Sequence, residues 1–267
     1  ARGSSWDDTV GNAHYNALQT KYERRLAHGL TALATYTWAK TLTDAGDLLN
    51  GGSVGGFRAP GIGAWNIHGD MGLAPFDIRH SFSANGSYDL PFGKGRKFLS
   101  GAGRVTDSIL GGWSTNFIVT LHTGFAQTIG CSKATGAGTG CYALYTGLDP
   151  YAGPNNVTQF YNPAAFRDPA VVTTVGQTDL SPLGGGRSQV AGPGFHRLDF
   201  SIFKSFPITE HQTLEFRAES FNLTNTPNFG QPGNLNFVNT KTFANITSTI
   251  DAPNDARQIQ LALKLYW

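Results

Sequence analysis

The last eleven residues, Arg257 to Trp267, constrain the fold more than any other stretch. Ile259, Leu261, Leu263, Leu265 and Trp267 alternate with Gln258, Gln260, Ala262, Lys264 and Tyr266, and the sequence stops on the aromatic. A period of two sets the first group on one face of a strand and the second group on the other. A soluble sandwich strand can alternate in this way, but it normally runs on into a turn and a polar tail. A strand crossing an outer membrane has a reason to stop on an indole, which sits well at the lipid–water boundary. Eleven residues at about 3.3 Å each, tilted by about 40°, rise on the order of 25 Å, the height of the apolar band of such a barrel.

Composition supports that reading. Charged residues make up 14% of the 267, against roughly 25% in ordinary soluble domains, and the 34 glycines exceed the usual ~7%. Mean hydropathy is nonetheless slightly negative, and no run approaches the ~18 apolar residues of a membrane helix. Few charges without long apolar runs is what alternating barrel strands and Gly/Asn/Thr-rich loops produce; a secreted fibrous β protein fits as well. The formal charge of +2 comes with no basic stripe, so no nucleic-acid partner is expected. The opening Ala-Arg-Gly-Ser-Ser carries neither Met nor a signal peptide, so a processed or longer product is expected.

Seven segments read as strands: about 14–26, 30–43, 78–90, 113–127, 197–207, 213–222 and the terminal one. The second sets Leu30, Ala32, Ala34, Tyr36 and Trp38 opposite a face that is mainly Thr, and the fourth sets Trp113, Phe117, Val119 and Leu121 on one face. Short or moderate links follow the first, third and fifth strands. Long ones, about 44–77, 128–196 and 223–256, follow the second, fourth and sixth. Structureless loops of that length are uncommon in compact soluble domains, whereas outer-membrane barrels pair short periplasmic turns with long outer loops. The fold class expected is therefore all-β: antiparallel up-and-down β-barrel strands, about seven of a larger barrel. With the C-terminus periplasmic, an aromatic girdle forms from Tyr36 and Trp38 at the outer rim and Tyr88, Trp113 and Phe206 at the inner one. Phe125, Phe92 and Trp267 extend it, although aromatics flank strands in many settings. Barrels of this kind usually have an even strand number, and the first and last strands here are open edges, which invite pairing.

At this point the sequence resembles the C-terminal third of a TonB-dependent outer-membrane receptor, of the Oar-like kind with a carboxypeptidase-regulatory-like N-terminal domain. The matching stretches are YNALQTKYERRLAHGLTALATYTWAK (Tyr15 to Lys40), APFDIRHSFSANGSYDLPFGKGRKF (Ala74 to Phe98) and GGWSTNFIVTLHTG (Gly111 to Gly124). They continue with RLDFSIFKSFPI (Arg197 to Ile208), LEFRAESFNLTNTPNFG (Leu214 to Gly230) and ARQIQLALKLYW (Ala256 to Trp267). The pieces run in family order over nearly the whole chain. The resemblance implies a segment of a 22-strand barrel, non-catalytic, with outer loops that sample ligand. It implies as partners the outer-membrane lipid, the remaining strands and plug of a full-length receptor, and the TonB complex through N-terminal parts outside residues 1–267. It also implies that Trp267, with Leu265 and Leu263 before it, is the C-terminal signal read by the barrel-assembly machinery; relatives more often end in Phe.

Other chemistry has less to stand on. Cys131 and Cys141 flank a glycine-rich segment; their spacing permits a disulfide closing a small loop, as in an oxidising compartment, and two unpaired thiols are the alternative. His68, Asp70, Asp77 and His80 gather near the third strand but match no compact metal motif, so neither a metal nor a cofactor is expected. His80 and Ser81 point to opposite strand faces, which counts against a hydrolase pair. Gly184 to Arg187 precedes a strand rather than linking a strand to a helix, so a flexible link rather than a phosphate cradle is expected there. Glu215, Arg217 and Glu219 share one face of the sixth strand, a polar lumen wall, with Lys204 expected to face them from the fifth. Besides the receptor segment, a second reading remains. The open edges can join copies of the chain into an extracellular fibre or tube by β-augmentation, with its long glycine-rich loops mobile until neighbours pack on them. An enzyme or soluble β module is the third.

Overall fold

The computed structural model describes residues 11–44, 71–130, 142–169, 188–250 and 255–267. Seven long strands dominate: β1 (Ala13–Ala27), β2 (Leu30–Thr43), β3 (His80–Asp89), β4 (Trp113–His122), β5 (Phe195–Pro207), β6 (Thr213–Phe221) and β7 (Gln258–Tyr266). Each pairs antiparallel with the next in chain order, giving one up-and-down sheet. Among the described residues β1 and β7 form its two open edges. All seven strands expected from alternation are present.

The turns follow from local chemistry. His28 (φ 55°) and Gly29 (φ 79°) both occupy the left-handed region. A two-residue hairpin loop of that kind matches the twist of the strands it joins, here β1 and β2. Ile208 N–H donates to Gln212 O at 2.8 Å and closes the β5–β6 turn. Between β3 and β4 lies a seven-residue helix, α1 (Arg104–Leu110), where alternation alone predicts only a connection.

One boundary moves for a clear reason. The expectation runs the fourth strand on to Gln127, but β4 ends at His122. Gly124 then crosses Gly192 so closely that a Cβ on Gly124 would lie 1.8 Å from Gly192 O. The chain leaves the sheet there, and Ala126–Gln127 pairs instead with Val190–Ala191.

The buried core sits off the sheet. Ile129, Ala143, Tyr161, Ala165, Phe166, Val190, Phe237, Phe243 and Ala244 pack together, all from the second and third long excursions. They form a small lobe at the rim from which those excursions leave. The described parts of these two excursions pack against each other rather than running as plain loops. Their aromatic residues find enough apolar surface within the chain to bury themselves.

Candidate functional site

The strand register divides the sheet into two chemically distinct faces. One rung runs Ala32–Gly86–Phe117–Phe200–Ser220–Ile259 and the next runs Leu30–Tyr88–Thr115–Ile202–Ala218–Leu261. Nearer the short turns come Trp113–Lys204–Phe216–Leu263 and Phe206–Leu214–Leu265. This face is largely apolar, with Thr115, Ser220 and Lys204 among its rungs and Arg24 level with Ala32 on β1, and on β7 Ile259, Leu261, Leu263 and Leu265 all stand exposed. Gly86 is required where it is, because a Cβ there would meet Thr31 O at 2.5 Å and the Phe117 ring at 2.9 Å.

The other face is polar along most of its rungs, although the rung Glu23–Leu33–Asn85–Ile118–Asp199 carries two apolar side chains. One polar rung reads Thr31–Ser87–Asn116–Ser201–Glu219–Gln260 and another Lys21–Thr35–Ser83–Thr120–Arg197. Its charges are tied locally along the strands. Arg217 reaches Glu219 at 3.0 Å and Glu215 at 3.8 Å, with its guanidinium 5.8 Å from the centre of the Phe203 ring. Arg197 Nε donates to both Asp199 oxygens at 3.0 and 3.1 Å, and Asp199 also accepts from Asn222 N–H at 2.8 Å. Paired charges over a hydroxyl- and amide-rich floor make a surface that holds water and can exchange hydrogen bonds with a polar solute.

Lys204 does not join that set, which corrects the expectation. It pairs with Phe216 and Trp113 and so lies on the apolar face, only 3% exposed. There its Nζ donates to Gly111 O and reaches Asp107 O at 3.4 Å. The ammonium lies 5.6 Å from the Trp113 ring centre and 5.1 Å from that of Phe206. The cause is register: an even-numbered residue of β5 shares a face with the even-numbered residues of β6, whereas the three charges of β6 are odd.

The residues expected in a girdle share the apolar face. Tyr36 and Trp38 lie toward the lobe end, where Tyr36 OH and His80 Nδ1 stand 2.8 Å apart. Tyr88, Trp113 and Phe206 lie toward the short-turn end. Leu263 and Leu265 continue this face, and Trp267 stands 89% exposed. Asp77 is buried, accepts from Thr41 N–H at 2.6 Å and lies 3.8 Å from Arg79. His68, Asp70, Cys131, Cys141 and Gly184 to Arg187 lie outside the described residues. Among the described residues no group of three or more His, Cys, Asp or Glu is placed to hold a metal ion.

Above the rim, the lobe is what sequence reasoning missed. Tyr161 is fully buried and packs edge-on to Phe160 (5.1 Å between ring centres) and Tyr151 (5.9 Å). Phe166 meets Tyr145, Phe243 and Phe237 at 5.5, 5.9 and 6.4 Å. Backbone bonds stitch the two excursions together, Phe160 N–H to Ala244 O at 3.0 Å and Ile246 N–H to Val157 O at 2.7 Å. Tyr151 OH donates to Ala191 O and accepts from Ala191 N–H; Tyr161 OH is buried with no partner among the described residues. Burial, reinforced by the nearby Tyr151 and Tyr145 hydroxyls, pushes the Tyr161 hydroxyl well above the usual tyrosine range. Only the density of aromatics, in stretches such as QFYNPAAF (Gln159 to Phe166), signals this lobe in the sequence. Asn162 begins the turn there, its side chain accepting from Ala164 N–H ahead of the 3-10 turn Pro163–Ala165.

No helix of the described residues is long and apolar enough to cross a membrane. No curated protein and no solved structure is a match for the chain. The family model described as an outer membrane beta barrel domain matches residues 3–260. With one face of the sheet largely apolar, the other largely polar, and that match over most of its length, the chain belongs to the outer membrane beta barrel domain family.

Proposed function

We propose that this chain forms part of the wall of a TonB-dependent outer-membrane receptor, of the Oar-like kind, without catalysis of its own. Family membership gives the setting, the bacterial outer membrane. The observation that supports the finer reading is the ordered lobe, seated at the rim of a wall whose inner face is polar. A surface fixed by its own core can present a ligand-binding face outward. Its exposed Tyr145, Leu148, Tyr151, Val157 and Val238 supply apolar contacts of the sort that such a face needs. The six stretches of sequence that run in the order of Oar-like receptors support it too. In this reading Tyr36, Trp38, Tyr88, Trp113 and Phe206 act as interfacial anchors, and Leu263, Leu265 and Trp267 act as the assembly signal.

The intact mass of the natively isolated product, before any detergent step, is the test. A single chain several times heavier than 28.6 kDa, extracted only by detergent and carrying a plug, is the expected result. A product near 28.6 kDa that sediments without detergent would overturn the receptor reading. It would favour the second one, self-association through the open edges of β1 and β7.

A further inference from the structure

The link between β3 and β4 does not hang below the sheet as a plain turn. It folds back onto the apolar face. Trp113 Nε1 donates to Ile109 O at 2.9 Å, and Lys204 Nζ donates to Gly111 O; both side chains belong to that face by register. The link is also tied within itself. Lys94 N–H donates to Asp107 Oδ1 at 2.6 Å, Gly111 N–H to Asp107 O at 2.8 Å, and Phe92 and Phe98 pair at 5.6 Å. The result is a fixed projection at the short-turn end of the wall, on its lipid side.

Its outer surface is of two kinds. Phe92, Phe98, Leu99, Val105, Ile109 and Leu110 are exposed, Val105 at 73% and Ile109 at 62%. No described part of the chain covers them. Val105 and Ile109 are four residues apart, so they share one face of α1. The same stretch carries Lys94, Arg96, Lys97 and Arg104 against one acid, Asp107, and Asp107 is already engaged by Lys94 N–H. Arg96 lies 3.7 Å from the half-buried Asp89; Lys97 Nζ lies over the Phe98 ring at 5.5 Å. Apolar groups continuous with a lipid-facing surface, rimmed by lysines and arginines, suit the depth at which acyl chains meet phosphate headgroups.

We propose that residues 91–112 form a membrane-surface foot whose partner is anionic phospholipid of the leaflet next to the short turns. Val105, Ile109 and the Phe92–Phe98 pair enter the acyl boundary. Lys94, Arg96, Lys97 and Arg104 reach the headgroup phosphates. Lys204 and Trp113 hold the foot against the wall. This rests on the outer-membrane setting alone and stands whether or not the barrel is a TonB-dependent receptor.

The test uses the native product folded into vesicles of phosphatidylcholine, alone or with phosphatidylglycerol. Nitroxides are attached to Val105→Cys, Ile109→Cys and, in the β5–β6 turn, Glu210→Cys, with the unsubstituted protein correcting for native cysteines. Labels at 105 and 109 are expected to collide with oxygen rather than with a water-soluble nickel chelate, and the label at 210 the reverse. Equal nickel access at all three sites overturns the foot. In the second arm Lys94, Arg96 and Lys97 are changed together to Glu, all three being exposed side chains. Recovery of photo-crosslinked phosphatidylglycerol, relative to phosphatidylcholine, should fall about tenfold, with the heat-modifiable gel shift of the folded barrel retained. An unchanged ratio with the shift retained overturns the proposal. If the shift is lost, the single Lys97→Glu protein carries the same comparison, expected at a few-fold.

Discussion

The wall and the lobe solve the same problem in opposite ways. In the lobe, Tyr161, Phe166 and Phe243 turn away from water and bury one another. In the wall, Leu261 and Leu263 stand exposed on a face that, among the described residues, only the β3–β4 link folds onto, beside Lys204; the apolar partner of the rest is the bilayer. The lobe therefore draws its stability from burial in water. The wall rests on a hydrogen-bonded ladder that lipid makes obligatory. One polypeptide is built for two solvents, and the boundary falls where β4 ends and Gly124 crosses Gly192.

The sharpest way to break this contrast is to empty the lobe. Phe243→Ala should cost the lobe about 3–5 kcal/mol. Hydrogen exchange should show residues 142–169 and 222–250 losing protection while the β2–β5 ladder keeps its own. Equal loosening of the wall would mean that the two regions are one cooperative unit. Next in size is a charge on the lipid side. Leu261→Arg should destabilise the membrane-folded barrel by about 2–4 kcal/mol, read by denaturant titration in lipid vesicles. Gln260→Arg, on the polar face one residue away, should change it little.

A third change acts on the joint. Gly124→Ala places a methyl group against the Gly192 carbonyl and should cost about 1–3 kcal/mol. Enhanced proteolysis of the lobe at an unchanged wall would report it. The smallest effect sharpens the contrast through pH. The Tyr161 hydroxyl ionises far less readily in the folded lobe than in an unfolded chain. The folded state therefore holds its proton where the unfolded state has released it, and stability present below pH ~10 falls as pH rises beyond it. The lobe should open in alkali, followed by near-ultraviolet circular dichroism. Tyr161→Phe removes a buried hydroxyl that has no partner, so it should be neutral or slightly stabilising at pH 7 and should move that opening to higher pH.

The wall was legible because its signal is local and periodic. Each strand declares its faces by alternation, and Ile259 to Leu265 or Leu30 to Trp38 need no partner to be read. What alternation withholds is the pairing between strands, which is why Lys204 was expected beside Glu215 and Glu219. Only the register, with Lys204 level with Phe216, settles its side. The lobe was illegible for a different reason. Tyr161 and Phe243 are 82 positions apart and follow no period, so nothing local announces that they meet. Helix α1 fell between the two cases, a short amphipathic turn in a link too brief for a helical pattern to stand out. The disulfide proposed for Cys131 and Cys141 lies outside the described residues.

The turn that leaves β6, Asn222 to Asn225, has a mechanical consequence for the last strand. No short turn joins β7 to β6, and a strand with regular alternation can slide by two residues and still present Leu and Ile to the same side. Such a slip would carry Asp255 and Arg257 about 7 Å along the wall. It would tear Asn222 Nδ2 from Asp255 O (2.7 Å) and Arg257 N–H from Asn225 Oδ1 (3.0 Å). These bonds oppose a shear of β7, so the Asn222–Asn225 turn that leaves β6 serves as the latch on the stagger of the terminal strand.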